Sequence, residues 1–380
     1  MPKILGTADW QLGKAMSKAG EKAEFFREQL FLTAEKIVHE TAVESDADLI
    51  VICGDIFEQP DAPWTLIERT AKMLLRSEKP IHIIAGNHDA LDSTKATSLW
   101  KLDKELGDQS KVVIHKKREK YRIEELDCTI FPGVLSARFD PSDQVSWIPK
   151  RTKDDGFRIG LFHGAIAQFG NEDDFRVKNL EPTLAIDKDL DIVLLGDWHQ
   201  PKGEEENTMY QPKNKIWYTW APEAQKISDE KIGRVILCEL TKDRDPNCTP
   251  IEVGKNRFVN FEISFAEDDP EKGFEKLSQY IAEKIHASDD NHISVRIIAS
   301  GWLSKSNHNR LDSEIAKIQE DFKDIRFKDK VSILLDDLGD SEDLIRQISD
   351  AISDSNETSE IRELAIKLLH KYARQELGGE

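Results

Sequence analysis

Ile84-Ala85-Gly86-Asn87-His88-Asp89 is an apolar run that turns on a glycine into three residues able to bind a metal or carry a proton. Glycine lets the backbone turn sharply and approach a ligand closely. Four further apolar runs end in the same manner. Residues 3–8 lead into Asp9-Trp10-Gln11, 48–53 into Gly54-Asp55, 158–162 into His163-Gly164, and 191–195 into Gly196-Asp197-Trp198-His199. The runs are short, rich in β-branched residues and bounded by turn formers, which predicts buried strands. A helical pattern over 23–44 places Phe26, Leu30, Ala34, Ile37 and Val38 on one stripe, and a second helix is predicted over 64–76. Strands alternating with helices predict an α/β layered fold. In such folds the loops after strand carboxyl ends converge on one crevice. A single Gly-Asp is more often a turn than a ligand; five such endings in succession point to one shared site.

The residue types fit metal chemistry. Asp, Asn, Gln and His offer oxygen and imidazole nitrogen, which suit manganese, magnesium, iron or zinc. Two ions about 3.5–4 Å apart would bind phosphate oxygens and lower the pKa of a water held in line with the leaving oxygen. The departing alkoxide then needs a proton. His88, beside Asn87, is the expected donor, with Asp89 orienting it.

The motif order resembles the calcineurin-like metallophosphoesterase superfamily, marked by Asp-x-His, Gly-Asp, Gly-Asn-His-Asp/Glu, an isolated His and Gly-His-x-His. Within it, the chain is similar to the SbcD-type nuclease subunit of DNA double-strand-break repair. The likeness is carried by Gly6-Thr7-Ala8-Asp9-Trp10-Gln11-Leu12-Gly13-Lys14, Gly54-Asp55-Ile56-Phe57 and the stretch 84–89. It implies an α/β fold whose four-layer core, two β-sheets sandwiched between helices, spans 1–241. A Pro- and charge-rich stretch over 242–257 reads as a linker. A small α/β capping domain is expected over 258–335 and C-terminal helices over 336–380. The resemblance further implies Asp9, Gln11, Asp55 and His199 around one metal, and Asp55, Asn87, His163 and Asp197 around a second. Two positions depart from the pattern: Gln11 and Asp197 stand where the family has histidines. Each metal loses an imidazole and the site gains a negative charge. This favours harder ions, manganese foremost and magnesium next, and predicts weaker loading beside Gln11.

The formal net charge of −19 counts against a chain that only binds nucleic acid, since such proteins usually carry a basic face. Bound dications reverse the sign locally. Two basic clusters, Lys116, Lys117, Arg118, Lys120 and Arg122, and Lys150 and Arg151, are candidates for a DNA backbone track; the alternative is a solvated strand and loop. Trp10, Trp198, Trp217 and Trp220 lie in or near motif loops, where they either stack on bases or pack the loops. Ile361, Leu364, Leu368, Leu369 and Tyr372 form a terminal apolar stripe. It is expected to bind an SMC-like ATPase of the SbcC type, or else to fold back on the capping domain. Family analogy adds a homodimer within a heterotetramer.

No apolar run approaches the roughly 20 residues that span a bilayer, and no signal peptide is evident. Four cysteines without CxxC spacing read as reduced thiols, so a cytoplasmic protein with no membrane partner is expected. The expected function is a metal-dependent DNA exo- or endonuclease acting with an ATPase. The alternatives are a phosphodiesterase for a small nucleotide, and a scaffold subunit weakened by Gln11 and Asp197.

Overall fold

The computed structural model describes all residues except 18–22, 93, 109–110, 168–178, 201–213, 227–228, 230–231, 267, 283–292, 322–324, 335–341, 356–357 and 378–380. The chain divides into two compact units, Met1–Arg257 and Phe258–Glu380.

In the first unit β1 (Lys3–Thr7) precedes α1 (Ala23–Lys36) and α2 (Ala42–Glu44). Then come β2 (Leu49–Cys53), α3 (Trp64–Leu75), β3 (Ile81–Ile84), α4 (Ser98–Leu106) and β4 (Val112–Ile114). Next are β5 (Tyr121–Ile123), β6 (Cys128–Pro132), β7 (Phe157–His163), α5 (Leu184–Asp187), β8 (Ile192–Gly196) and β9 (Ile216–Tyr218), followed by β10 (Arg234–Glu239) and β11 (Asn247–Glu252). One sheet has the order β11-β10-β1-β2-β3-β4 and the other β5-β6-β7-β8-β9. β1 to β4 run parallel in one sheet and β6 to β9 in the other.

The strands read as unbroken apolar runs because both faces are covered. In β2, Leu49, Val51 and Cys53 join Ile130, Ile159, Leu161 and Leu194 of the other sheet in one buried cluster, while Ile50 and Ile52, pointing the other way, are also fully buried. Phe131, Phe162 and Leu195 use the far face of the second sheet with Leu184 and Trp220. This is the mixed α/β sheet-on-sheet core that the sequence implies. Its parallel strands carry the motif loops on their carboxyl ends.

Two expectations are corrected here. The stretch 242–257 is not a free linker: β11 pairs antiparallel with β10 and forms the outer strand of its sheet. Pro250 is tolerated because an edge strand can spare its outward amide. Cys238 and Cys248 face each other in that pairing and are joined as a disulfide, whereas Cys53 and Cys128 are free and buried.

The end of this unit is tied down by Glu223, which is fully buried. Its Oε1 accepts from Thr33 Oγ1 at 2.5 Å and from the Lys255 amide at 2.9 Å, and its Oε2 accepts from the Asn256 amide at 2.7 Å. One carboxylate thus pins α1 to the segment after β11.

In the second unit β12 (Arg257–Phe265), α6 (Glu271–Tyr280), β13 (Ile293–Leu303), α7 (Lys305–Asp321) and β14 (Ile325–Ile333) form a small α/β layer with sheet order β12-β13-β14. Phe265, Phe274, Leu277, Ile297, Leu311 and Ile315 fill its core. α8 (Glu342–Ser353) and α9 (Ser359–Leu377) follow. They pack on each other, and α9 also touches β14. Ile361, Leu364 and Leu368 stay exposed, Leu369 is half-buried, and the Tyr372 side chain lies outside the described residues. No helix among the described residues is long and apolar enough to cross a membrane.

All of Glu223's partners donate. Glu223→Gln would turn an amide N–H toward them, and is expected to lower unfolding free energy by about 2 kcal/mol, read from a denaturant titration.

Candidate metal centre

The site is built where loops continue the strand ladder. The Asp9 amide donates to Gly54 O at 3.0 Å, the Gln11 amide to Asp55 O at 2.9 Å and the Leu12 amide to Ile56 O at 2.8 Å, so the loops after β1 and β2 run side by side. Asp9, Gln11, Asp55 and Asp197 all hold positive φ, at 54°, 45°, 56° and 92°. A non-glycine residue there costs on the order of 1–3 kcal/mol and persists only where its surroundings over-determine it. The glycines beside them serve close approach. A Cβ on Gly54 would overlap the His163 ring, and one on Gly86 the Asp55 carboxylate.

Asp89 corrects one expectation. Its carboxylate does not orient His88. Oδ2 accepts from the Ile56 and Phe57 amides at 2.8 and 3.2 Å, and Oδ1 from the Gly86 and Asp55 amides at 2.9 and 3.3 Å. Asp89 therefore clamps the loop after β2 to the loop after β3. Burial, reinforced by the charge of Asp55, pushes its carboxyl up to about 6.

His163 stands at the centre and is fully buried. Its Nδ1–H donates to Cys53 O at 2.7 Å, which fixes the ring and turns Nε2 to the site. Nε2 lies 3.0 Å from Asn87 Oδ1, 3.6 Å from Asp55 Oδ2 and 3.9 Å from Asp197 Oδ1. Ligand-type atoms of Asp9, Asp55 and His163 all fall within 4.8 Å of one another. Burial acts to depress His163, but the carboxylates of Asp55, Asp9 and Asp197 outweigh it and raise the ring to about 9. Burial likewise drives Asp9 well above the usual carboxylate range, against the pull of His163 and with the help of Asp55 and Asp197. So dense a negative field around one imidazole calls for a cation, and the oxygen and imidazole donors suit a divalent one.

The other expected ligands are less uniform. Asp197 reaches the site by its backbone too, donating to Asp9 Oδ2 at 3.1 Å. His199 Nε2 is 3.9 Å from Asp9 Oδ1. Gln11 does not present a free carbonyl: its Oε1 accepts from the Lys14 ammonium, and its Nε2 lies 3.2 Å from His199 Nε2. Burial, and then the positive charges of Lys226 and Lys14, hold His199 well below its ordinary value. His88 borders this group. Its backbone amide donates to Asp55 Oδ1 at 2.9 Å and its Nδ1–H to Glu58 O at 2.9 Å.

Several residues that the motifs did not single out take part. Lys14 and Glu58 pair at 3.0 Å, and Lys226 acts on His199 through its charge. Gln225 donates from Nε2 to Asp9 O at 2.5 Å, and Asp229 fixes Gln225 by accepting its amide at 2.9 Å. Lys14 and Glu58 lie three residues after Gln11 and Asp55, a signal that was readable; the segment around Gln225 carried none.

The basic clusters are mostly engaged elsewhere. Lys116 pairs with Asp103, Arg118 with Asp140, Lys120 with Asp155 and Arg122 with Asp127. Arg151 holds Asp189 and Asp191, just before β8. Asp197 follows the other end of that strand, about 20 Å away by strand rise, so Arg151 does not flank the metal centre. Lys117 and Lys150 are exposed. Trp10 is fully buried and donates to Thr7 Oγ1 at 2.8 Å, which makes it a packing residue. Trp217 and Trp220 are buried as well, and Trp198 packs near Tyr218 with ring centroids 5.9 Å apart.

Carboxylates, an amide oxygen and an imidazole gather at the strand ends of a two-sheet core, a donor set that fits a divalent metal centre in an α/β fold. The family model described as calcineurin-like phosphoesterase matches residues 2–201, and the chain belongs to that family. Solved structures resemble it more loosely. The protein TT1561 of Thermus thermophilus is 12% identical with a TM-score of 0.38, covering 66% of this chain and 99% of that one. A second is 11% identical with a TM-score of 0.39, covering 67% and 100%.

Asp89→Ala strands four buried amides. It is expected to cost at least about 3 kcal/mol of stability and to weaken metal binding by about tenfold or more, read by thermal melting and by calorimetric titration with manganese.

Proposed function

We propose that this phosphoesterase cleaves DNA phosphodiester bonds, as the nuclease subunit of an SbcD-type assembly working with an SMC-like ATPase. The observation that carries the reading is the meeting of Asp9, Asp55, Asn87 and His163 around one buried point, with His88 at its border. The likeness of 6–14, 54–57 and 84–89 to the SbcD type supports the substrate class. So does a second α/β unit followed by helices that leave Ile361, Leu364 and Leu368 exposed, a stripe suited to a helical partner.

A bound divalent ion, manganese or magnesium for this donor set, supplies electrostatic attraction for phosphate oxygens and acidifies water. The chain's own residues do the rest. Asp55, Asn87, His163 and Asp197 would hold the ion; Cys53 O fixes the His163 ring, and the Asp89 clamp fixes the loop that carries Asp55. Glu58 O accepts a hydrogen bond from the Nδ1–H of His88, so in the imidazolium form Nε2–H is the group left to give a proton to the leaving oxygen, after which the ring is neutral. Gln225 and Asp229 keep the Asp9 loop in position.

One observation favours a second reading. With the guanidinium groups of Arg118, Arg122 and Arg151 committed to internal partners, a basic track beside the site is thin, and a small nucleotide diester needs none.

The purified chain with manganese, alone and with its ATPase partner, is expected to degrade linear duplex DNA. His88→Ala should lower the rate by about 100-fold or more while metal content is kept. Intact DNA alongside rapid hydrolysis of a cyclic or linear nucleotide would select the second reading.

A further inference from the structure

We infer that this centre is built for one dication, held on the His163 side, and that the Lys14 ammonium supplies the positive charge on the Gln11 side. The inference rests on the metal-dependent reading above and specifies its ion count.

The two sides of the site differ in the charge that stands beside their donor atoms: oxygens surround His163 Nε2, whereas an ammonium meets Gln11. Around His163 Nε2, three oxygens from Asn87, Asp55 and Asp197 stand at 3.0, 3.6 and 3.9 Å. The Asn87 oxygen meets the imidazole in a hydrogen bond, and all four atoms are donors that a divalent ion could take once the imidazole gives up its proton. The ring is already locked by Cys53 O.

On the Gln11 side the atoms are committed. An ammonium can only donate, so the Gln11 atom that meets Lys14 is the carbonyl oxygen. The amide nitrogen is then the atom facing His199 Nε2 at 3.2 Å, and as a donor it needs the Nε2 lone pair. That lone pair is the one a metal would take. The proton of His199 is left on Nδ1, which is buried without a hydrogen-bond partner among the described residues. Lys14 is itself braced by Glu58 at 3.0 Å. The chain Glu58–Lys14–Gln11–His199 therefore occupies both groups that would complete a second ion's shell, and leaves only Asp9 and the shared Asp55 to hold it.

The substitutions make sense as a set. Gln11 removes an imidazole from one side and offers an oxygen that a lysine can hold. Asp197 adds a carboxylate to the other side, where it strengthens the site that keeps its ion. The Lys14 side chain is 22% exposed, so it is not sealed from an incoming anion.

The test counts ions. The metal-free chain is dialysed against manganese and analysed by elemental analysis and electron paramagnetic resonance. The expected result is one ion per chain with the spectrum of an isolated ion. Asn87→Ala and His163→Ala should each weaken retention by about tenfold or more, whereas His199→Ala should retain the ion. The double change Lys14→Gln with Gln11→His should admit a second ion and give an exchange-coupled spectrum. With one equivalent of manganese, Lys14→Gln should bind inorganic phosphate about tenfold more weakly; unchanged affinity would overturn the charge role. Two ions in the unaltered chain would overturn the inference and leave metal-dependent hydrolysis standing. So would an ion that survives His163→Ala and is lost from a folded His199→Ala. No ion at all would overturn both.

Discussion

Negative charge held at close range is the constraint on which this molecule turns. Asp9 and Asp55 are buried, Asp197 joins them from the rim, and all three act on one imidazole. Carboxylates in a low-dielectric interior are costly unless paired or bound to a cation. The fold tolerates them because the groups around the cluster are pinned by backbone. Strand ends fix Asp9, Asp55 and Asp197 in positive-φ conformations, Cys53 O fixes His163, and the Asp89 clamp joins two loops through four backbone amides. Stability stored in the sheets is thereby spent on holding groups that repel one another until a cation arrives.

How much of this was readable in the sequence depends on the kind of signal. Apolar runs ending in Gly-Asp or Gly-Asn-His-Asp are local patterns, and parallel strands turn local patterns into spatial convergence. Asp9, Asp55 and His163 meet for that reason. Asp89 was misread because adjacency to His88 suggests partnership, while a tight turn sends consecutive side chains to opposite sides. The basic run at 116–122 was legible as charge but not as structure: its partners Asp103, Asp140 and Asp155 come from other parts of the chain. β11 was hidden because proline and polar residues suit an edge strand as well as a linker. The Cys238–Cys248 pair was hidden because only strand pairing brings the two together.

Gln11 shows how a substitution at a ligand position is understood only with its neighbours. By itself a glutamine is a poor ligand that still offers an oxygen. Beside Lys14 it becomes a relay, with its oxygen directed one way and its amide nitrogen the other. The identity of residue 14 therefore decides what residue 11 can do. Such coupling follows from hydrogen-bond direction, since donors and acceptors must alternate along the chain from Glu58 to His199.

The same logic bears on how a strongly acidic chain meets an anionic substrate. The net charge of −19 makes long-range attraction of phosphate unfavourable, so attraction has to be local. Lys226 and Lys14 both act on His199, and His88 adds to them, so the cations gather on the side of the centre where Gln11 lies. The carboxylates and Asn87 crowd the opposite side around His163. A phosphate ester entering between them would meet positive charge on one side and the carboxylates around His163 on the other, with the His88 imidazole at the border. Screening at physiological salt acts over about 8 Å, which is enough to shield such a mouth from most of the acidic surface. Local charge order, rather than the sign of the whole molecule, is what makes phosphate chemistry possible here.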